Sequence, residues 1–258
     1  MAALVFITGA SSGIGQALAL RYYRAGYTLA LVARRAENIE TWANAHGIST
    51  DSYQIYSCDV ADVDSVLHAA QHCISRQGVP DVVIANAGIS IGVDSSIRSD
   101  LAVMAHTFAV NNLGMAATFH PFITAMVQRG SGTLVGIGSV AGIRGLPGHG
   151  AYCASKAAVT AYCESLRGEL RGTGVKVVTI APGYVDTPLT QQNRYPMPFL
   201  LSAEAFAERA FAAIAAQTSY CVIPWPMALV AKVLRLLPNA WFDRLLAGRP
   251  RKHRSDKA

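Results

Sequence analysis

Leu4-Val-Phe-Ile-Thr8-Gly9-Ala-Ser-Ser-Gly13-Ile-Gly15 decides how the rest of the chain folds. Leu4 to Thr8 reads as a short buried strand, and a glycine- and serine-rich turn then opens directly into a helix pattern. That pattern runs through Leu18 and Leu20 to Ala25-Gly26, where glycine stops it. A turn of this kind lets backbone N–H groups and the helix N-terminus meet a pyrophosphate. Gly9 is expected to make the tight turn, Gly13 to allow close approach, and Gly15 to let the helix pack on the sheet. Ser11, Ser12 and Ile14 fill the loop between them. The spacing is G-x-x-x-G-x-G and departs from the generic G-x-G-x-x-G fingerprint. A Gly/Ser linker has a similar composition, but linkers are not usually wedged between a β-run and an amphipathic helix.

Outward from this unit the same alternation repeats. Tyr27 to Ala33 is a second strand that ends in Arg34-Arg35. Dinucleotide folds place an acid there to hold the adenosine ribose 2′-OH. Here a small alanine and two arginines stand instead, and guanidinium groups suit a 2′-phosphate, so the position favours NADP over NAD. Ser52 to Cys58 leads to Asp59-Val60, placed to meet an adenine edge. A helix from about Asp62 to Arg76 follows, then a strand Asp81–Ala85 ending in Asn86-Ala87-Gly88. Leu101 to Met126 reads as one long helix, and Thr133 to Gly138 as a buried strand. A helix from Ala151 to Leu170 runs into the strand Val175–Ala181, which breaks at Pro182-Gly183. Such β-α-β order implies one parallel sheet of the Rossmann, doubly wound α/β class, with right-handed crossovers. No linker, repeat or low-complexity segment marks a boundary, so a single domain over 1–258 is expected, with its core at about 4–223 and a C-terminal helical extension.

The stretch Ser139-Val-Ala-Gly-Ile-Arg-Gly-Leu-Pro-Gly-His-Gly-Ala-Tyr152-Cys-Ala-Ser-Lys156 carries the chemistry. Tyr152 and Lys156 lie at i and i+4 of a helix, one turn apart on the same face. An ammonium near a phenol favours the phenolate, so the Tyr152 pKa is expected to fall from its ordinary value of about 10 toward neutrality. Ser139 arrives from the strand end as a hydroxyl donor. A surface Tyr and Lys on an ordinary helix give the same local pattern, and the remaining motifs decide between the two.

Composition narrows the class. Hydrophobic residues make up 52% of the 258 and charged residues 15%, so a sizeable core is expected. No apolar run reaches the roughly 20 residues of a membrane-spanning helix, and Leu4-Val-Phe-Ile is too short for a signal peptide. Five cysteines without a C-x-x-C spacing point to reduced thiols in the cytoplasm. His68 and His72 share a helix face but lack the glutamate of H-E-x-x-H and a third ligand, so no metal is expected.

In order and spacing, Thr8-Gly9-Ala-Ser-Ser-Gly13-Ile-Gly15, Asn86-Ala-Gly88, Asn111, Ser139, Tyr152-x-x-x-Lys156 and Pro182-Gly183 resemble the short-chain dehydrogenase/reductase family over about residues 4–223. Two departures are small: Ala85 stands where many members carry a further Asn, and Gly138 where a second Ser is common. The resemblance implies a sheet of about seven strands, a nicotinamide cofactor and hydride transfer at an alcohol or carbonyl carbon. It assigns Tyr152 the proton on the substrate oxygen, Lys156 the nicotinamide ribose, and Ser139 the substrate carbonyl. Asn111 would anchor a water path from Lys156 to solvent, and Pro182, Gly183, Val185 and Thr187 would line the nicotinamide. It also implies a homodimer or homotetramer through paired long helices, in which Ala154, Ala157, Ala158 and Ala161 permit close approach. A small-molecule carbonyl or alcohol is the expected substrate, and no nucleic acid is expected. The rival is a catalytically idle dinucleotide sensor, which would not need Asn111, Ser139, Tyr152 and Lys156 together.

Two segments lie beyond these motifs. Pro188 to Leu201, with Tyr195, Pro196, Met197, Pro198, Phe199 and Leu200, is where the family carries its substrate lid, and its apolar content points to a hydrophobic substrate. These residues could equally just cover the core, with Ser202 capping the next helix; His149, three residues before Tyr152, could touch substrate but reads better as a turn residue. From Tyr220 onward eight basic residues (Lys232, Arg235, Arg244, Arg249, Arg251, Lys252, Arg254, Lys257) face two acids, Asp243 and Asp256, so the whole excess of +6 lies there. Met227 to Leu237 is an apolar helix of about 16 Å, too short to cross a bilayer. Pro238 breaks it, Asn239 can cap a second helix, and Gly248 ends that one. Trp225, Trp241 and Phe242 beside these cations fit an anionic membrane surface. The other reading is that both helices roof the cleft or meet a partner subunit, ahead of a disordered basic tip.

Overall fold

The computed structural model describes residues 2–191, 193, 196–248 and 251–254. Tyr195, Arg249, Asp256 and Lys257, named above, lie outside the described residues, as does the end of the basic tip. Seven strands, β1 (Leu4–Thr8), β2 (Thr28–Ala33), β3 (Tyr53–Ser57), β4 (Val82–Ala85), β5 (Gly132–Ile137), β6 (Val175–Pro182) and β7 (Tyr220–Ile223), form one sheet in the order β3-β2-β1-β4-β5-β6-β7. Every neighbouring pair is parallel. The chain winds outward from β1 to β3, returns to β4 beside β1, and winds outward the other way. The loops that follow β1 and β4 therefore diverge and leave a crevice at the carboxyl ends of the strands.

Because successive strand residues face opposite sides, β1 serves two cores. Phe6 packs on one face with Phe119, Phe122 and Met126, below α3 (Val63–Gln77), α5 (Gly114–Arg129) and α6 (Gly150–Glu169). Its ring meets Phe122 edge-on at 4.9 Å. Val5 and Ile7 face the other side, where α1 (Gly13–Arg24), α2 (Ala36–Ala45) and α7 (Ala203–Ala215) contribute Leu18, Tyr22, Ile39 and Phe206. Both faces being covered is what makes the strands read as continuous apolar runs.

Three sequence expectations change. The long helix Leu101–Met126 is divided into α4 (Asp100–Phe108), a π-helical turn Ala109–Leu113, and α5. Gly114 sits so close to the Val60 carbonyl that a Cβ there would lie 2.4 Å from its oxygen, and the Asn111 side chain is drawn into other partners. Helix α2 adds an element between Arg35 and His46 where the sequence reading places none. Asn239 does not cap α9 (Asn239–Leu246); its Oδ1 accepts a hydrogen bond from Arg144 Nη2 at 2.9 Å. By contrast, Ser202 Oγ accepts the Ala205 N–H at 3.1 Å and caps α7 as expected.

Beyond β7, α8 (Trp225–Leu236) and α9 form the helical extension. Arg144 holds their elbow: it donates to the Leu234 carbonyl, to the Leu237 carbonyl at 2.6 Å, and stacks 3.8 Å above the Phe242 ring. Among the described residues no helix is long and apolar enough to cross a membrane.

Candidate active site

One cleft at the carboxyl ends of the strands gathers nearly every residue singled out in the sequence. Gly9, Ser11, Ser12, Gly13, Ile14, Arg34, Arg35, Asp59 and Val60 line one end, and Ser139, Tyr152, Lys156, Pro182, Gly183, Val185 and Thr187 the other, with Asn86, Ala87 and Gly88 between. Gly15 and Asn111 stand behind this wall.

The glycine loop is built for close approach. Gly9 and Gly13 adopt φ of +69° and +54°, which side-chain-bearing residues rarely enter. A Cβ on Gly9 would sit 2.8 Å from Ala87 Cα, and one on Gly15 would sit 2.1 Å from the Gly9 oxygen. Helix α1 begins with no side-chain cap from Ser12, so its first N–H groups remain available beside the cradle. An open loop, an uncapped helix start and two arginines at the end of β2 fit a phosphate-bearing dinucleotide. Arg34 is largely exposed, with Nη1 3.7 Å from Asp59 Oδ2.

Thr8 fixes the neighbouring strand end. Its Oγ1 accepts the N–H groups of Asn86 at 3.1 Å and Ala87 at 3.2 Å, while Asn86 Nδ2 donates to the Thr8 carbonyl at 2.9 Å. Ala85 is buried in β4, and its departure from the family pattern leaves these bonds in place. Gly88 is pressed against Asn111 and Lys156: a Cβ there would lie 3.3 Å from Asn111 Oδ1 and 3.4 Å from Lys156 Nζ.

Ser139, two residues beyond the end of β5, is buried, its Oγ accepting the Ala141 N–H at 3.1 Å. Tyr152 is half-buried one turn from Lys156. Desolvation pushes the Tyr152 phenol above its ordinary range, and the neighbouring Ser139 hydroxyl opposes this. The expected fall of the Tyr152 pKa toward neutrality is therefore not met in the structure. Lys156 Nζ instead donates to the Ile137 carbonyl at 2.8 Å and lies 5.9 Å from the Tyr152 ring centroid. Burial lowers Lys156 itself to about 8. Desolvation is the largest cause of both shifts.

Both amide atoms of Asn111 are bonded within the protein. Its Oδ1 accepts the Ile89 N–H at 2.8 Å, and its Nδ2 donates to the Ile89 carbonyl at 3.0 Å and Ser155 Oγ at 2.9 Å. Ser155 Oγ in turn donates to the Tyr152 carbonyl at 2.8 Å. Asn111 thus ties the loop after β4 to the first turns of α6. His149, expected as a turn residue, is buried just before α6, with its charged form disfavoured by burial and by Lys252.

Several residues at the cleft were not singled out. Thr190 Oγ1 accepts the Thr187 N–H at 3.1 Å and donates to the Val185 carbonyl at 2.5 Å, which shapes the loop after β6. Ile89 and Ser155 have the contacts above, and only the proximity of Ser155 to Lys156 could have pointed to it. Residues 251–254 return across this end of the molecule. Lys252 is buried with Nζ 2.6 Å from Asn193 Oδ1 and 3.5 Å from the Leu189 carbonyl, and the Gly92 N–H donates to the His253 carbonyl at 3.0 Å. Arg251 Nη1 reaches Asp94 Oδ2 at 3.4 Å. In the sequence these cations look like a solvated run because their partners lie some 60 to 160 positions away. Among the described residues no His, Cys, Asp and Glu group could hold a metal.

Comparison with known proteins agrees with this geometry. The family model described as short chain dehydrogenase matches residues 3–197. An uncharacterized oxidoreductase of Myxococcus xanthus is 37% identical over 240 residues, covering 92% of this chain and 93% of that protein. Among solved structures, a short-chain dehydrogenase from Streptomyces avermitilis superposes with a TM-score of 0.81 at 25% identity, covering 90% of this chain and 92% of the other. An alcohol dehydrogenase from the archaeon Thermococcus sibiricus, complexed with 5-hydroxy-NADP, superposes with a TM-score of 0.75 at 27% identity, covering 86% and 96%. With the ordered motifs converging on one cleft of a seven-stranded parallel sheet, the chain belongs to the short-chain dehydrogenase/reductase family, oxidoreductases that act on CH–OH groups.

Proposed function

We propose that this protein is an NADP-dependent reductase of a hydrophobic ketone or aldehyde, or an oxidant of the matching secondary alcohol. The observation that carries this reading is the placement of Ser139, Tyr152 and Lys156 at one end of a cleft whose other end presents Arg34 and Arg35. The nicotinamide, when bound, supplies or accepts the hydride at the substrate carbon. Tyr152 gives its phenolic proton to the substrate oxygen in reduction and takes it back in oxidation. Ser139, which lines the same end of the cleft as Tyr152, orients that oxygen and donates to it as charge develops. Lys156 holds a buried positive charge beside Tyr152 and stabilises the phenolate left after proton transfer. Asn111 acts through structure, holding Ile89 and Ser155 so that the start of α6 keeps its place.

Arg34, Arg35 and the absence of an acid at the end of β2 support NADP over NAD. The nucleotide named for the Thermococcus sibiricus relative agrees with that choice. Leu189, Phe199 and Leu200 remain exposed on the lid, an apolar surface suited to a hydrophobic substrate. A homo-oligomer through α4, α5 and α6 is supported by exposed Leu101, Met104 and Leu113 beside exposed Ala154, Ala157 and Ala161. A cytoplasmic setting is supported by five free cysteines. The deciding experiment is a screen of carbonyl compounds with oxidation of NADPH as the readout. Turnover of an apolar carbonyl that vanishes in Tyr152→Phe is the expected result. Cofactor binding without turnover of any carbonyl would instead favour a dinucleotide sensor.

A further inference from the structure

A contiguous apolar surface outside the cleft lies on α8 and α9. Trp225, Leu229, Val233 and Leu236, at i, i+4, i+8 and i+11 of α8, are 70%, 56%, 61% and 83% exposed. Trp241 and Leu245 extend the surface along α9. This face is not a frayed end. Met227 and Ala231 bury the opposite side of α8, and Arg144 clamps the elbow between the helices. Soluble proteins seldom leave so many large apolar side chains contiguous unless something covers them.

Charge identifies the cover. Lys232 lies between Leu229 and Leu236 on the exposed stripe of α8, and Arg244 lies between Trp241 and Leu245 on that of α9. Asp243 is the lone acid of α8 and α9. A second copy of this chain seated on the same face would gather the Lys232 and Arg244 cations of both copies in one interface, with Asp243 the one acid of each copy's two helices to offset them, and the face on α4, α5 and α6 already suits such a partner. An anionic lipid surface complements both the cations and the apolar stripe, and tryptophans at its two ends match the chemistry of the headgroup boundary.

We propose that the outer face of α8 and α9 seats the protein on an anionic membrane surface. The seat adjoins the reaction end of the cleft: a Cβ on Gly183 would lie 2.9 Å from Met227 Cγ, and Arg144 leaves the same segment that joins Ser139 to Tyr152. On the reading of the reaction given above, the substrate is then one that partitions into lipid and enters from that side.

The test is co-sedimentation of the full chain with phosphatidylcholine vesicles, with and without phosphatidylserine. Binding is expected with phosphatidylserine and is expected to weaken as salt rises. Lys232→Gln with Arg244→Gln should weaken it by roughly thirtyfold, the worth of two surface cations. Leu229→Ser with Leu236→Ser should abolish it while NADPH binding, which reports the fold independently of any substrate, is unchanged. A chain that stays in the supernatant with phosphatidylserine vesicles at low salt overturns the proposal. So does a Leu229→Ser, Leu236→Ser variant whose solution mass is half that of the parent, because a second copy would then be the cover. Failure to find a carbonyl substrate leaves these readings unaffected and bears only on the reaction.

Discussion

Arg254 grips Asp100 through both carboxylate oxygens, Nε to Oδ2 and Nη2 to Oδ1, each at 2.8 Å. The pair anchors residues 251–254 to the first turn of α4, and Asp100 Oδ2 also accepts the Asp94 N–H at 2.6 Å. Arg254 first, and this N–H second, hold the Asp100 carboxyl below its ordinary range. Because the folded pKa is lowered, the contribution is complete above the unfolded value of 3.8 and is lost only as pH falls through the folded value. The segment is therefore fully tethered at neutral pH. Arg254→Ala should raise KM for the substrate several-fold while leaving NADPH affinity unchanged, and should speed proteolytic cleavage after Lys252. Steady-state kinetics and timed digestion check both; an unchanged KM would detach this segment from the substrate end.

Tyr152→Phe keeps the ring and removes only the proton that the reaction moves. Turnover should fall by roughly 10²- to 10⁴-fold, the usual worth of a positioned acid or base. NADPH affinity, followed by its fluorescence, should stay near that of the parent. Retained turnover of an identified substrate would pass the proton role to another group.

Much of this was legible because a parallel sheet covered on both faces writes itself as apolar runs separated by helix patterns. Helix α2 was not, since only Ile39 and Ala43 of its residues are buried and no side-chain cap marks its start. The π-helical turn at Asn111 has tertiary causes, the partners Ile89 and Ser155 and the Val60 carbonyl, which no local pattern announces. Likewise the i, i+4 spacing placed Tyr152 and Lys156 together, but not the turn of Nζ toward the Ile137 carbonyl. The basic tail misleads in the same way, for Lys252 and Arg254 are defined by Asn193 and Asp100 rather than by their neighbours.

Arg34 and Arg35 should discriminate between the two nicotinamide nucleotides. Replacing both with Ala should weaken NADPH by about 1.5–3 kcal/mol for each charge-assisted hydrogen bond lost. NADH should be almost unaffected, since it lacks the 2′-phosphate. Titration with each nucleotide decides the matter, and equal losses would refute the assignment.

Asn111→Ala removes three hydrogen bonds at once, two to the Ile89 backbone and one to Ser155. Leaving the buried partners unsatisfied should cost about 1–3 kcal/mol in unfolding free energy for each group that water does not reach. A positioning role further predicts a lower kcat at an unchanged NADPH affinity. Urea unfolding and single-turnover rates separate the two effects.

Lys156 offers a test in which the sign of the pH effect is fixed. Burial lowers its folded pKa from 10.5 to about 8. Between those values the unfolded chain holds a proton that the folded chain has released, so this group makes stability rise with pH. Below about 8 both states hold the proton, and the folded state carries the whole cost of a buried charge. The buried thiols act oppositely, Cys73 and Cys163 being raised to about 12 and 11, so the quantity to read is the difference between the parent and Lys156→Met. That difference should shift in favour of the parent by at most about 1.4 kcal/mol per pH unit as pH rises from 8 to 10. Urea unfolding across this window measures it, and a flat difference would mean that Lys156 keeps its proton despite burial. At neutral pH either outcome leaves the ammonium charged beside Tyr152, which is the state the proposed proton transfer requires.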